Sequence, residues 1–272
     1  MSVAKPFFGP QPMDEYLAVE AMSSGKLRRI GKSPRHARAY DGQSNEETAL
    51  MRFGSVAHCA ILEPHKFKRR YAVCPHRRDK TSTKYRLWLK DHPGVEALTQ
   101  REHDEALELA EGIYENPIVA ALLEDGRPEH SAIAEVDGIL SKARPDFLSE
   151  SSGSLVCVSL KSTDSADPFL WGYKAARARQ HVADAFYEQV LAAAGHPVAG
   201  SVTIVVEREP PYWAECYELE EPQRELGLLL MRRYLAKWRE CQASGKWPGY
   251  TETGISGLWL PESAYAEAGD TR

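Results

Sequence analysis

No two of the five cysteines form a C-x-x-C pair. Cys59, Cys74, Cys157, Cys216 and Cys241 are odd in number and widely dispersed. That spacing argues against a zinc site or a disulfide framework and fits a reducing, cytoplasmic setting. No apolar run approaches the roughly 20 residues that a bilayer span requires. The opening stretch, MSVAKPFFGPQPMDEY, lacks a charged segment followed by an apolar one, so neither a membrane role nor export is expected. There is no internal repeat and no low-complexity linker. What is present is ordinary for a globular chain: 272 residues, 43% hydrophobic and 27% charged, enough to bury a substantial core.

The net charge of −5 conceals an asymmetry. Between Lys26 and Lys90 there are 17 Lys/Arg against 5 Asp/Glu, so the remainder of the chain is strongly acidic. A basic segment on an acidic protein is either a solvated face or an electrostatic footprint for a polyanion such as nucleic acid. Within it, the polar stretch CPHRRDKTSTK, with Arg77, Arg78 and Lys80, reads as a mobile loop suited to gripping phosphates.

The hydrophobic pattern divides the chain. Residues 1–100 read as mainly helical, with MDEYLAVEAMSSGKLRRI as one helix and ETALMRFGSVAHCAILEP as another, stopped at Pro64. Residues 101–250 read as the core. Two helices, TQREHDEALELAEGIYEN and PIVAALLEDG, precede HSAIAEVDGILSKARPDFLSE, two strands about a tight Asp-Gly turn. A strand GSLVCVSLKS follows, then one long helix from Asp167 to Gly195, two more strands around a Pro-Pro step, and a last helix beginning PQRELG. Residues 251–272 read as a tail. The order of elements predicts an α/β fold, a mixed central sheet flanked by helices with a helical N-terminal part, in a single domain spanning 1–272.

One pair of residues points to chemistry. Asp146, in ARPDFL, and Lys161, in VCVSLKST, stand at the ends of neighbouring strands. Phosphodiester cleavage needs a positioned water, stabilisation of negative charge on phosphorus and help for the leaving oxygen, and divalent ions held by carboxylates supply all three. A lysine beside them can orient or deprotonate the water and counter the developing charge. A surface aspartate and a strand-end lysine are the plainer reading of the same pair. Glu129, His58 and Tyr187 are candidates for the same cluster; each reads equally well as a hairpin-edge carboxylate, a packing histidine and a core aromatic.

Several motifs in series give a stronger signal. KSPRHARAY, FGSVAHCAILEPHKF, PEHSAIAEVDGILSKARPDFL, VSLKST, HVADAFY, IVVEREPPYWAECYEL and GKWPGY occur in order across roughly Met22 to Tyr250. In this series the chain resembles the exodeoxyribonuclease VIII (RecE-type) branch of the PD-(D/E)xK nuclease superfamily. The resemblance implies a PD-(D/E)xK core with Mg²⁺ or Mn²⁺ as cofactor. It implies that His58, Glu129 and Asp146 hold metal, that Lys161 acts on the attacking water, and that Tyr187 contacts DNA. It further implies 5′-to-3′ degradation of linear double-stranded DNA from its ends, a ring-shaped homo-oligomer, and a single-strand annealing protein as partner in phage-type recombination. RecB-like single-strand nucleases share the layout but often carry an iron–sulfur cluster, which the dispersed cysteines argue against.

The sequence departs from that pattern twice. Where the family has Asp or Glu, this chain has Ser159; where the family has Gln, it has Ala183. A serine hydroxyl is neutral and a poor magnesium ligand, so metal binding and cleavage are expected to be impaired. Gln180 is an imperfect substitute for the missing glutamine, about 4.5 Å away along a helix axis. Asp164 and Asp167 are candidate donors of the missing carboxylate. A nuclease-derived module that binds DNA ends without cleaving them is the alternative reading.

Overall fold

Local chemistry sets most element boundaries. The computed structural model describes residues 5–40, 49–150, 153–251 and 254–260. The chain begins with β1 (Phe7–Pro10), α1 (Met13–Ala18), β2 (Met22–Ser23), α2 (Ser24–Ile30) and α3 (Pro34–Arg38). It continues through α4 (Ala49–Leu62), α5 (Pro64–Arg70), β3 (Tyr71–Val73), α6 (Thr83–Asp91) and β4 (Glu96–Leu98). Next come α7 (Gln100–Ile113), α8 (Pro117–Glu124), β5 (Gly126–Pro128), β6 (His130–Val136) and β7 (Ile139–Ala143). The remainder is β8 (Phe147–Ser149), β9 (Val156–Thr163), α9 (Pro168–Ala178), α10 (Gln180–Ala193), β10 (Gly200–Glu207), β11 (Ala214–Glu218) and α11 (Glu221–Ser244).

Side-chain caps open several helices. Thr99 and Glu102 form a reciprocal capping box on α7, and Asn116 and Asp167 cap α8 and α9, each followed by proline. Between β6 and β7, Asp137 and Gly138 both adopt positive φ, 49° and 74°, the geometry of the two-residue hairpin turn that Asp-Gly favours.

The strands form two main sheets. One runs β1-β6-β7-β2 and the other β11-β10-β9-β8-β5, with β3 and β4 as a separate pair. In the second sheet β9 lies parallel to β10 and antiparallel to β8. The two faces of β9 are dressed differently. Val158 and Leu160 pack with Ala57 and Ile61 of α4 and with Leu109 and Ile113 of α7. Cys157 joins Val182, Ala185 and Phe186 of α10, with Met231 and Leu235 of α11 and Leu27 of α2. The chain is thus an α/β fold: a mixed sheet between helical layers, with further helices from the N-terminal part.

The structure corrects the expected elements in four places. The single expected sheet is two, because the chain leaves one for the other at Glu129 and again between Ala143 and Phe147. The first 100 residues contain short strands as well as helices, and the expected first helix is α1 and α2 separated by β2. Pro64 ends α4 but also opens α5, occupying a position where its missing N–H costs nothing. The long helix expected from Asp167 to Gly195 is α9 and α10, broken at Arg179, whose φ of 54° is left-handed. No glycine or proline marks that break. Arg179 holds it from outside by donating to Gly31 O at 2.9 Å.

The crossing of α10 over α11 is unusually close. A Cβ placed on Gly227 would lie 2.2 Å from His181 O, inside any tolerable contact. Gly227→Ala therefore forces the two helices apart and is expected to cost about 1–3 kcal/mol, as overpacking does. A thermal melt would show a midpoint lowered by several degrees.

Candidate metal centre

Glu129 and Asp146 occupy the two points where the chain passes between sheets. Glu129 sits between β5 and β6 with a left-handed φ of 54°, and its N–H donates to Asp146 O at 3.2 Å. The two crossings are therefore tied to each other, which brings both carboxylates to one spot. His58, on α4, completes the group. One ligand atom from each of His58, Glu129 and Asp146 lies within 4.8 Å of the others, and all three residues are partly buried.

Each carboxylate divides its oxygens between protein and site. Asp146 Oδ2 accepts from Leu160 N at 2.7 Å and from Lys161 Nζ at 3.0 Å, while Oδ1 faces His58 Nδ1 at 4.0 Å. Glu129 Oε2 accepts from Arg144 Nε at 2.6 Å. Arg144 is fixed in turn by Gln11 O and Ser131 Oγ. Burial alone would raise the Asp146 pKa, but Lys161, His58 and the Leu160 N–H together hold it below its usual value. Glu129 goes the other way: burial, followed by the neighbouring Asp146 charge, outweighs Arg144 and raises it.

That electrostatic tension tests the fit of a metal. Two carboxylates and an imidazole converge, and the Asp146 charge raises the pKa of Glu129; a divalent cation among them would relieve the repulsion. The donor set suits a cation that accepts oxygen and nitrogen ligands. A cleft of about 180 Å³ adjoins the group, lined by His58, Cys59, Glu63, Arg70, Glu129 and Arg144 among others. At about 30 Å³ per water it holds several waters or a hydrated phosphate.

The remaining sequence candidates are distributed as follows. Lys161 is on β9 beside Asp146, with a second bond to Leu160 O at 3.0 Å. Ser159 is buried on the same strand, in register with Thr203 of β10. Extending the β8–β9 pairing one step past Phe147 and Val158 brings Asp146 beside it. Tyr187 lies against α2, where its hydroxyl accepts from Ser24 Oγ at 3.3 Å; burial raises its pKa, and the Asp146 charge adds to that. Ala183 is buried. Gln180 is also buried and donates to Asp184 Oδ1 at 2.7 Å.

Among the loop cations, Arg77 and Lys80 are exposed, whereas Arg78 is engaged by Glu102 at 2.6 Å and by Ala97 O. Many other cations of the basic segment are likewise held internally: Arg52 by Glu96 and Glu102, Arg28 by Ala178 O, and Arg29 over the Tyr40 ring. Asp164 pairs with Lys174, and Asp167 is committed to capping α9 through Leu170 N.

The sequence reading passed over two residues. Arg144 precedes the signature Pro-Asp and reads as an ordinary strand-end cation, yet it neutralises Glu129. Asp184 sits in HVADAFY, four residues after Gln180 and three before Tyr187, and so on one helical face with both. It is 5% exposed.

These features are those of a PD-(D/E)xK-like domain. A family model described as "PDDEXK-like domain of unknown function (DUF3799)" matches residues 23–254, and the chain belongs to that family. A crystal structure from Eubacterium rectale, described as a "putative exonuclease", has the same fold. Its TM-score is 0.58 at 12% identity, over 95% of this chain and 98% of that one. A second solved structure, of SSO0001, aligns at TM-score 0.30 and 11% identity over 68% and 86% of the two chains, too distant to carry an argument. No curated protein matches the chain.

Asp184 generates a pH prediction. Burial, foremost, raises its pKa from 3.8 to about 6, against the opposing effects of Gln180 and Lys161. Between those values the folded chain keeps a proton that the unfolded chain has released, so stability falls as pH rises from about 4 to about 6. Asp184→Asn removes that loss while keeping an acceptor for Gln180. At pH 8 it is expected to stabilise the protein by about 2–3 kcal/mol, and far less at pH 4, as urea titrations at the two pH values would show.

Proposed function

We propose that this chain is a Mg²⁺- or Mn²⁺-dependent exonuclease acting on the ends of linear double-stranded DNA, with slowed cleavage. The observation that carries the reading is the convergence of His58, Glu129 and Asp146 within 4.8 Å, next to a lysine bonded to Asp146. In this reading the bound cation lowers the pKa of a water and polarises the scissile phosphate. Asp146, Glu129 and His58 would hold that cation. Lys161, anchored by Asp146 and Leu160 O, orients the attacking water and offsets charge on the phosphate. Arg144 keeps Glu129 turned into the cleft, and Arg70 at its rim is placed for a phosphate oxygen.

DNA contact has two supports. Arg77 and Lys80 are exposed cations, and α9, which begins seven residues after Lys161, carries no buried side chain. Its Phe169 and Tyr173 are 69% and 67% exposed and meet edge to face at 5.0 Å, a surface on which bases stack. The 5′-to-3′ polarity, ring assembly and annealing-protein partner belong to the same proposal and rest on the RecE-type resemblance.

A second reading, a DNA-end-binding module without cleavage, is favoured by Ser159 and Ala183 together, since both replacements fall where the resemblance expects site residues. Nucleotide release from linear duplex DNA in Mg²⁺ separates the two. The chain is expected to release nucleotides slowly, Ser159→Asp to raise the rate at least tenfold, and Lys161→Ala to abolish it. Salt-sensitive binding with no release by any of these proteins would establish the second reading instead.

Binding itself is expected to weaken steeply with salt. The slope of log affinity against log salt should fall by about one for each of Arg77→Ala and Lys80→Ala, if each removes one phosphate contact. Fluorescence anisotropy on a labelled duplex measures both.

A further inference from the structure

Ser159 leaves the site one carboxylate short, while a carboxylate with no part in the arrangement above is buried on the helix that faces it. Residues 157, 159 and 161 of β9 alternate to one face, and α10 meets the sheet there: Glu188 accepts from Ser201 Oγ at 2.8 Å, and Ser201 of β10 is the parallel partner of Cys157. Asp184 lies four residues before Glu188 on the same face of α10, buried in the layer between helix and sheet, with its Oδ1 held by Gln180 Nε2 at 2.7 Å. Its charge acts on Cys157, and the Lys161 charge acts on it. Asp184 therefore overlooks the row of β9 side chains whose middle member is Ser159. Burying a carboxylate in such a layer is costly, and a hydrogen bond from a neutral amide offsets only part of that cost.

We propose that Asp184 takes over from position 159 as the second carboxylate of the site, its charge reaching Lys161 and the cation held by Asp146 across the space that a serine leaves open. This rests on the reading of His58, Glu129 and Asp146 as a cation site. Direct ligation is unnecessary. Magnesium and manganese keep part of their hydration shell in sites of this kind, so Asp184 acts as a positioning residue, accepting hydrogen bonds from metal-bound water and setting the direction of the Lys161 ammonium. Gln180 serves by fixing the Asp184 rotamer. Asp164 and Asp167, nearer in sequence, are occupied by Lys174 and by the α9 cap.

The test is a double-mutant cycle read by calorimetric Mn²⁺ binding to the full chain without DNA. Asp184→Asn keeps the size of the side chain and the acceptor for Gln180, so a melt of each protein checks that the fold is intact. The expected result is a five- to twentyfold loss of Mn²⁺ affinity in Asp184→Asn, with Ser159→Asp restoring it in that background. Ser159→Asp should gain less affinity when Asp184 is present, because the two carboxylates then serve one site. Unchanged Mn²⁺ affinity in Asp184→Asn, an equal gain from Ser159→Asp in both backgrounds, or no Mn²⁺ binding by the native chain would each overturn the proposal. Cation binding that depends on Asp184 in a chain that never releases nucleotides would uphold it and remove the exonuclease reading alone.

Discussion

The bond from the Leu160 backbone N–H to Asp146 Oδ2 is the constraint on which the site depends. A carboxylate set into the edge of a sheet loses its hydration and must find replacements in fixed positions. Here it finds one in the backbone of β9 and another in Lys161, both directed at one oxygen. The other oxygen is thereby aimed at His58. Because the backbone donor belongs to β9, the site cannot form until β8 and β9 have paired in register, and a slip of one residue would turn Lys161 to the opposite face.

The site also lies where the chain divides its strands between two sheets. The pairing of β6 with β7 and that of β5 with β8 follow one register, so Glu129 falls opposite Asp146 where the hairpin passes from one sheet to the other. At that seam the Glu129 N–H donates to Asp146 O, and two like charges lie close together. The left-handed backbone at Glu129 is a local cost of such a turn, and the Asp146 charge raises the pKa of Glu129. Strain and repulsion are thereby gathered at one point, as they are at many functional sites.

Much of this was legible in the sequence, for reasons that differ by element. The Asp-Gly turn and the helix starts at Pro117 and Asp167 are local signals, and the structure has those elements where they point. The motif series placed His58, Glu129, Asp146 and Lys161 in one neighbourhood, and the structure brings them together. The break at Arg179 was hidden because its cause is remote: a guanidinium reaching Gly31 O, 148 residues away. The sheet crossing was hidden because it is a property of pairing, not of composition. Arg78 looked free for phosphate because nothing in CPHRRDKTSTK reveals Glu102, 24 residues further on. Asp184 escaped notice because a single acidic residue on a helix reads as solvated until its neighbours are known.

The kink at Arg179 also divides the two helices by their exposure to selection. Residues of α10 are packed on several sides, so most substitutions there carry a folding penalty. Those of α9 face solvent along the whole helix, and replacing them changes little that the core depends on. The helix that follows Lys161 is therefore freer to vary than α10. A lineage could retune what approaches Lys161 by altering α9 alone, without disturbing the layers that keep Asp146 in place.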